Sequence, residues 1–103
     1  MKKNLMICND KSERYCRVCG LDQGAEEVRT KTGRPTFNIC DCCGVEFGYE
    51  DTTIDNVKDI RKHWIYNEKA KWFYLKAKPK NWSLCKQLKN IPEKYQDEWI
   101  KLL

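Results

Sequence analysis

Two cysteine pairs constrain this chain more than any other feature. Cys16-Arg17-Val18-Cys19-Gly20 and Cys40-Asp41-Cys42-Cys43-Gly44 share the spacing C-x2-C-G, with 20 residues between Cys19 and Cys40. A lone C-x-x-C is a weak signal. Two at this separation, each followed by glycine, describe a pair of knuckles able to hold one Zn2+ in a tetrahedron of thiolates with zinc–sulfur bonds of about 2.3 Å. The glycine lets the backbone turn so that amide N–H groups can face the sulfurs. The expected ligands of this structural zinc are Cys16, Cys19, Cys40 and Cys43. Cys42 leaves an alternative open, since a Cys40/Cys42 pair could serve instead. Its bite is tighter, and Gly44 directly after Cys43 favours Cys43. Cys8 and Cys85 are expected to be small buried apolar residues.

A chain of 103 residues that is 41% hydrophobic makes one domain with a small core. The expected division is a zinc-ribbon part over residues 15–50 and a helical part over 51–103 packed on it. Seven cysteines is an odd number for a disulfide scaffold. The apolar run after the basic Met1-Lys2-Lys3 start is too short for a secretory signal, and no segment approaches the roughly 20 apolar residues of a membrane span. A reducing cytoplasm is the expected compartment, with no membrane partner. The formal charge is +5, and its whole excess falls after residue 50. Four thiolates around one Zn2+ lower it to about +3.

The pattern along the chain gives the fold class: α+β, a small zinc ribbon packed with two to four C-terminal helices. Leu5-Met6-Ile7 reads as a short strand and residues 9–14 as a polar loop. Glu27-Val28-Arg29-Thr30 and Thr36-Phe37-Asn38-Ile39 read as strands of a β-hairpin turning at Lys31-Thr32-Gly33-Arg34-Pro35. Ile54, Val57, Ile60, Trp64 and Ile65 fall on one helical stripe, so a helix is expected near 52–67, capped by Asp51 or Thr52. Residues 68–80 fit helix or strand. Leu84, Cys85, Leu88 and Ile91 suit a short helix capped by Asn81. Pro92 opens a last helix carrying Tyr95, Trp99, Ile100, Leu102 and Leu103.

The run Cys40-Asp41-Cys42-Cys43-Gly44-Val45-Glu46-Phe47-Gly48-Tyr49-Glu50-Asp51 resembles the signature of the cysteine-rich CPCC family of small bacterial proteins. Arg61 and Trp64, Trp72-Phe73, and Lys78-Pro79-Lys80-Asn81-Trp82 extend the likeness over most of the chain. Asp41 stands where that signature has proline. The resemblance implies the zinc-ribbon-like fold and a bacterial cytoplasm, and it implies no activity.

The residues themselves favour a non-catalytic role. A catalytic zinc keeps a water position, usually with His or carboxylate ligands, and the single histidine, His63, faces away from the helix stripe. Arg61 lies at the stripe's edge, its stem packed and its guanidinium in water, or paired with Glu46 or Glu50. Residues 69–89 contain seven lysines and no acid, interleaved with Trp72, Phe73, Tyr74 and Trp82. The expected function is a structural zinc supporting a macromolecular interaction surface. Its partner is expected to be a protein, as for an immunity or regulatory adaptor protein, met by Lys71, Trp72, Lys76, Lys78, Lys80 and Trp82. The alternative is a nucleic-acid-binding ribbon using the same segment. A thiol or redox enzyme comes third, and no small-molecule substrate is inferred.

Overall fold

The computed structural model describes residues 13–103. The strand expected at Leu5-Met6-Ile7, most of the polar loop at 9–14, and Cys8 lie outside the described residues.

The first half is built from two copies of one local structure. In the first knuckle the Cys16 amide donates to the Leu21 carbonyl (3.0 Å), and the Gly20 amide donates to the Cys16 carbonyl (2.9 Å). In the second, Cys40 donates to Val45 and Gly44 to Cys40, both at 2.9 Å. Gly20 and Gly44 sit at φ +84° and +81°, a left-handed conformation that side chains other than glycine adopt at a penalty. Isolated bridges close the knuckles in the same register, Tyr15 with Asp22 and Ile39 with Glu46.

The expected β-hairpin does not form. The chain does reverse after Thr30, where Gly33 donates to the Thr30 carbonyl and Thr30 to the Arg34 carbonyl. The pairing then stops at single bridges: Arg29 meets Pro35 on one side and Glu13 on the other. The Thr36 amide still donates to the Val28 carbonyl (3.1 Å) beyond the Arg29–Pro35 pair. Phe37 sits at φ +60° and turns the chain away, so the Asn38 carbonyl accepts from Phe47 rather than from the first segment. Phe37 and Ile39 are exposed, while Val28 is buried. Among the described residues, strand structure is limited to isolated bridges.

The helical half contains α1 (Ile54–Tyr66), α2 (Leu84–Leu88) and α3 (Glu98–Lys101), with single 3-10 turns at Leu75–Ala77 and Glu93–Tyr95. Helix α1 starts later than expected: Thr53 caps it, its hydroxyl accepting from the Asn56 amide at 3.1 Å. Asp51 is engaged elsewhere. Val57, Arg61 and Trp64 are its buried face, a spacing of four and three residues that matches one side of a helix. Lys69 and Ala70 adopt left-handed φ and turn the chain back, so the Ala70 amide reaches the Trp64 carbonyl at 2.9 Å. Residues 68–80 are mostly irregular, neither helix nor strand. Ser83, not Asn81, caps α2. The segment opened by Pro92 breaks into a 3-10 turn and the four-residue α3. Tyr95 and Ile100 are buried there, while Trp99, Leu102 and Leu103 remain exposed.

One apolar cluster draws on both halves. Val18, Val28, Val45 and Phe47 join Val57, Trp64, Trp72, Leu88, Ile91, Tyr95 and Ile100 in it. Among the described residues, no helix is long and apolar enough to cross a membrane.

Candidate metal centre

The two knuckles face each other and bring four sulfurs together. The Sγ atoms of Cys16, Cys19, Cys40 and Cys43 all lie within 4.8 Å of one another. Two close pairs cross between the knuckles, Cys16 to Cys43 and Cys19 to Cys40, each at 3.6 Å. A zinc–sulfur bond of about 2.3 Å in a tetrahedron places sulfurs about 3.8 Å apart, so the donor set fits the ion. Among the described residues this is the one group of histidine, cysteine or carboxylate donors close enough to hold a metal.

Electrostatics point the same way. Burial pushes the Cys19 and Cys43 thiols well above the ordinary thiol range. Hydrogen bonds from Cys16, then Cys19 and Cys43, hold Cys40 well below it. Four buried sulfurs in mutual contact cannot all carry charge unless a cation sits among them. Metal uptake therefore releases protons, and affinity falls as pH falls.

Cys42 is not part of the group. It occupies the position in the second knuckle that Val18 occupies in the first, and both are fully buried in the apolar cluster. Its sulfur accepts from the Gln87 side chain at 3.3 Å. Cys85, expected to be buried, is exposed on α2. Its position in the five-residue helix places it off the Gln87–Leu88 side that packs inward.

The supporting contacts went largely unseen in the sequence. A knuckle that wraps a metal turns its carbonyls outward, and those carbonyls need donors once the helical half covers them. Arg61, fully buried, supplies two of these donors and also ties the knuckle to the Tyr95 main chain. Its Nε donates to the Val18 carbonyl (2.7 Å), and Nη2 donates to the carbonyls of Arg17 (2.9 Å) and Tyr95 (2.6 Å). Its Nη1 pairs with Asp97 at 2.9 Å. This corrects both sequence readings of Arg61: its guanidinium is not in water, and its carboxylate partner is neither Glu46 nor Glu50. Gln87 donates to the Cys19 carbonyl at 3.1 Å and accepts from the Trp82 indole at 2.7 Å. The second knuckle is covered differently. The Asp41 and Cys42 carbonyls accept from the backbone amides of Tyr74 (2.8 Å) and Phe73 (2.9 Å).

A second buried network ties the segment between the knuckles to the start of α1. Arg29 forms a two-pronged pair with Asp51 at 3.0 and 3.1 Å, and Asp51 also accepts from the Gly48 amide at 2.7 Å. Arg17 pairs with both oxygens of Glu13, donates to the Asp51 carbonyl and lies over the Tyr95 ring. The sequence offered no local signal for this network, since Glu13, Arg29 and Asp51 each lie among other charged and polar residues.

Of the other predicted residues, His63 is exposed as expected, 3.4 Å from Glu68. Trp72 is buried, 3% exposed, and meets the half-buried Trp82 edge-on at 5.6 Å between ring centroids. Trp72 is therefore not free to serve as a surface anchor, whereas Trp82 keeps part of its surface exposed. Lys71, Lys76, Lys78 and Lys80 are all exposed. Cys43, the half-buried member of the sulfur group, lines two adjoining clefts of about 320 and 510 Å3 that also share Glu68.

Comparison with protein-family models, curated proteins and solved structures found no match to this chain.

Proposed function

We propose that this chain is a non-catalytic zinc-binding module in which one structural Zn2+ on Cys16, Cys19, Cys40 and Cys43 locks two knuckles under a thin helical layer. The rigid unit presents a surface to a macromolecular partner. The sulfur cluster carries this reading: three of its four residues are fully buried, and its cross-knuckle spacing is that of a zinc tetrahedron. Four thiolates fill the coordination sphere and leave no place for a reacting water. The module is short of regular structure, so the metal contributes a large share of its stability. Zinc binding in finger peptides is on the order of 10–16 kcal/mol.

Native mass spectrometry of the purified chain should find one zinc per molecule. Chelation should abolish the near-ultraviolet dichroism of the buried tryptophans rather than unmask a thiol activity. A fully folded, metal-free chain would overturn the reading. A protein partner, as for an immunity or adaptor protein, sits within it, with Trp82 half-buried and Trp72 turned inward. The alternative of a nucleic-acid partner draws support from what the same segment displays instead, namely Phe73 and Tyr74 among lysines.

A further inference from the structure

We propose that residues 71–80 form a strip that binds single-stranded nucleic acid, with Phe73 and Tyr74 stacking on bases and Lys71, Lys76, Lys78 and Lys80 meeting phosphates. The proposal rests on the zinc-scaffold reading, because the second knuckle holds the strip in place.

Three observations carry it. Within the aromatic cluster of this segment, Trp72 and Trp82 pack against each other, while Phe73 and Tyr74 are 65% and 51% exposed. Exposed rings beside cations are the elements from which sequence-tolerant single-strand sites are made. The rings also project from a fixed backbone, since the Phe73 and Tyr74 amides are hydrogen-bonded to Cys42 and Asp41 of the knuckle. That lowers the ordering penalty on binding. Finally, residues 69–89 hold seven lysines and no acid, and among the described residues none of the seven is in an ion pair. Lys78 is instead over the Trp82 ring at 5.3 Å. The strip's positive charge is uncompensated on its own segment.

The same geometry separates single strands from other partners. The local helical elements are a three-residue 3-10 turn and the five-residue α2. Neither is a long helix or a two-stranded ribbon of the kind that enters a major groove. The strip has no arginine to grip base edges, so little sequence preference is expected. A protein interface of this size would be expected to centre on a pocketed tryptophan or arginine; here Trp72 is buried and Trp82 is half-buried against it, so Phe73 and Tyr74 are the most exposed rings of the segment.

The test uses the zinc-loaded full chain and three fluorescein-labelled probes: a short oligo(U), a duplex of equal length and a glutamate-rich peptide. Oligo(U) should bind best. With about four phosphates neutralised, its affinity should fall roughly 50-fold between about 50 and 200 mM salt. Phe73→Leu and Tyr74→Leu keep apolar bulk but remove the ring face, and each should weaken oligo(U) about fivefold or more. Lys76→Glu with Lys78→Glu and Lys80→Glu should abolish binding. Tighter binding of the peptide would assign the strip to an acidic protein and overturn the proposal, as would preference for the duplex. Leucine variants that bind oligo(U) like the parent would overturn stacking, and with it the proposal. Zinc content measured on each sample separates the two readings. A folded one-zinc chain that ignores oligo(U) removes this inference and leaves the scaffold standing. A folded zinc-free chain that binds it as described removes the scaffold reading instead.

Discussion

The two knuckles have the same hydrogen bonds and the same left-handed glycine, yet the protein covers them by opposite means. The first knuckle's outward carbonyls at Arg17, Val18 and Cys19 are met by side chains that arrive from α1 and α2, Arg61 and Gln87. The second knuckle's equivalent carbonyls at Asp41 and Cys42 are met by the backbone amides of a passing loop. The first lies deep, and its glycine abuts the Gln87 main chain. The second lies near the surface, and its glycine abuts the half-exposed side of the molecule at Phe73. Identical local motifs thus impose no particular environment. Each creates the same demand for donors, and the rest of the chain answers it with what is nearby.

That comparison can be broken in steps of decreasing size. Serine at Cys16, Cys19, Cys40 or Cys43 should have the largest effect, with zinc lost and the chain unfolded or aggregated, because metal binding and folding are one process. Elemental analysis with circular dichroism reads it. If one pair tolerates serine and the other does not, the knuckles do not share an ion.

Arg61→Met should come next. It leaves the Arg17, Val18 and Tyr95 carbonyls without their donor and strips Asp97 of its partner, a loss of about 3–5 kcal/mol for a broken buried pair. Chemical denaturation should show that destabilisation, while Tyr74→Ala, whose capping is done by the main chain, should stay within about 1 kcal/mol. Comparable losses would erase the distinction between the two covers.

The glycines sharpen the contrast. Gly20→Ala pushes a methyl group into the Gln87 carbonyl oxygen, which is backbone, whereas at Gly44 the new Cβ would lie 2.9 Å from Phe73 Cδ1, a side chain free to swing. Both changes carry a left-handed penalty of about 1 kcal/mol. Gly20→Ala should exceed Gly44→Ala by a further 1 kcal/mol or more, the scale of overpacking. Equal melting temperatures for the two variants would contradict it.

Cys42→Val should have the smallest effect. It repeats the residue found at the matching position of the first knuckle, so zinc content should hold and stability should change by less than about 1.5 kcal/mol. Loss of the metal in this variant would return Cys42 to the ligand set.

Much of the site was legible in the sequence because it is local. The spacing C-x2-C-G encodes both knuckles, and the stripe from Ile54 to Ile65 encodes α1 to within two residues. Even the Cys42 question had an answer in view, since aligning the two pentapeptides sets Cys42 opposite Val18. The hairpin misled because alternation at 27–30 and 36–39 says nothing about a left-handed Phe37 that turns the chain out of the pairing. What stayed hidden is non-local. Arg29 with Asp51, and Arg61 with the first knuckle, are pairings across 22 and more than 40 residues. No nearby pattern announces which buried cation will meet which carbonyl. The tryptophans and their neighbours were ambiguous for a related reason: Trp72 and Phe73 are adjacent and similar in hydrophobicity, and only packing decides which turns inward.

Support through main-chain amides has an evolutionary meaning. At positions 73 and 74 any residue except proline can still donate to Cys42 and Asp41, so selection is free to change the displayed side chains without loosening the fold beneath them. Arg61 and Gln87 have no such freedom. The protein therefore separates positions whose side chains hold the fold together from positions whose side chains are only displayed.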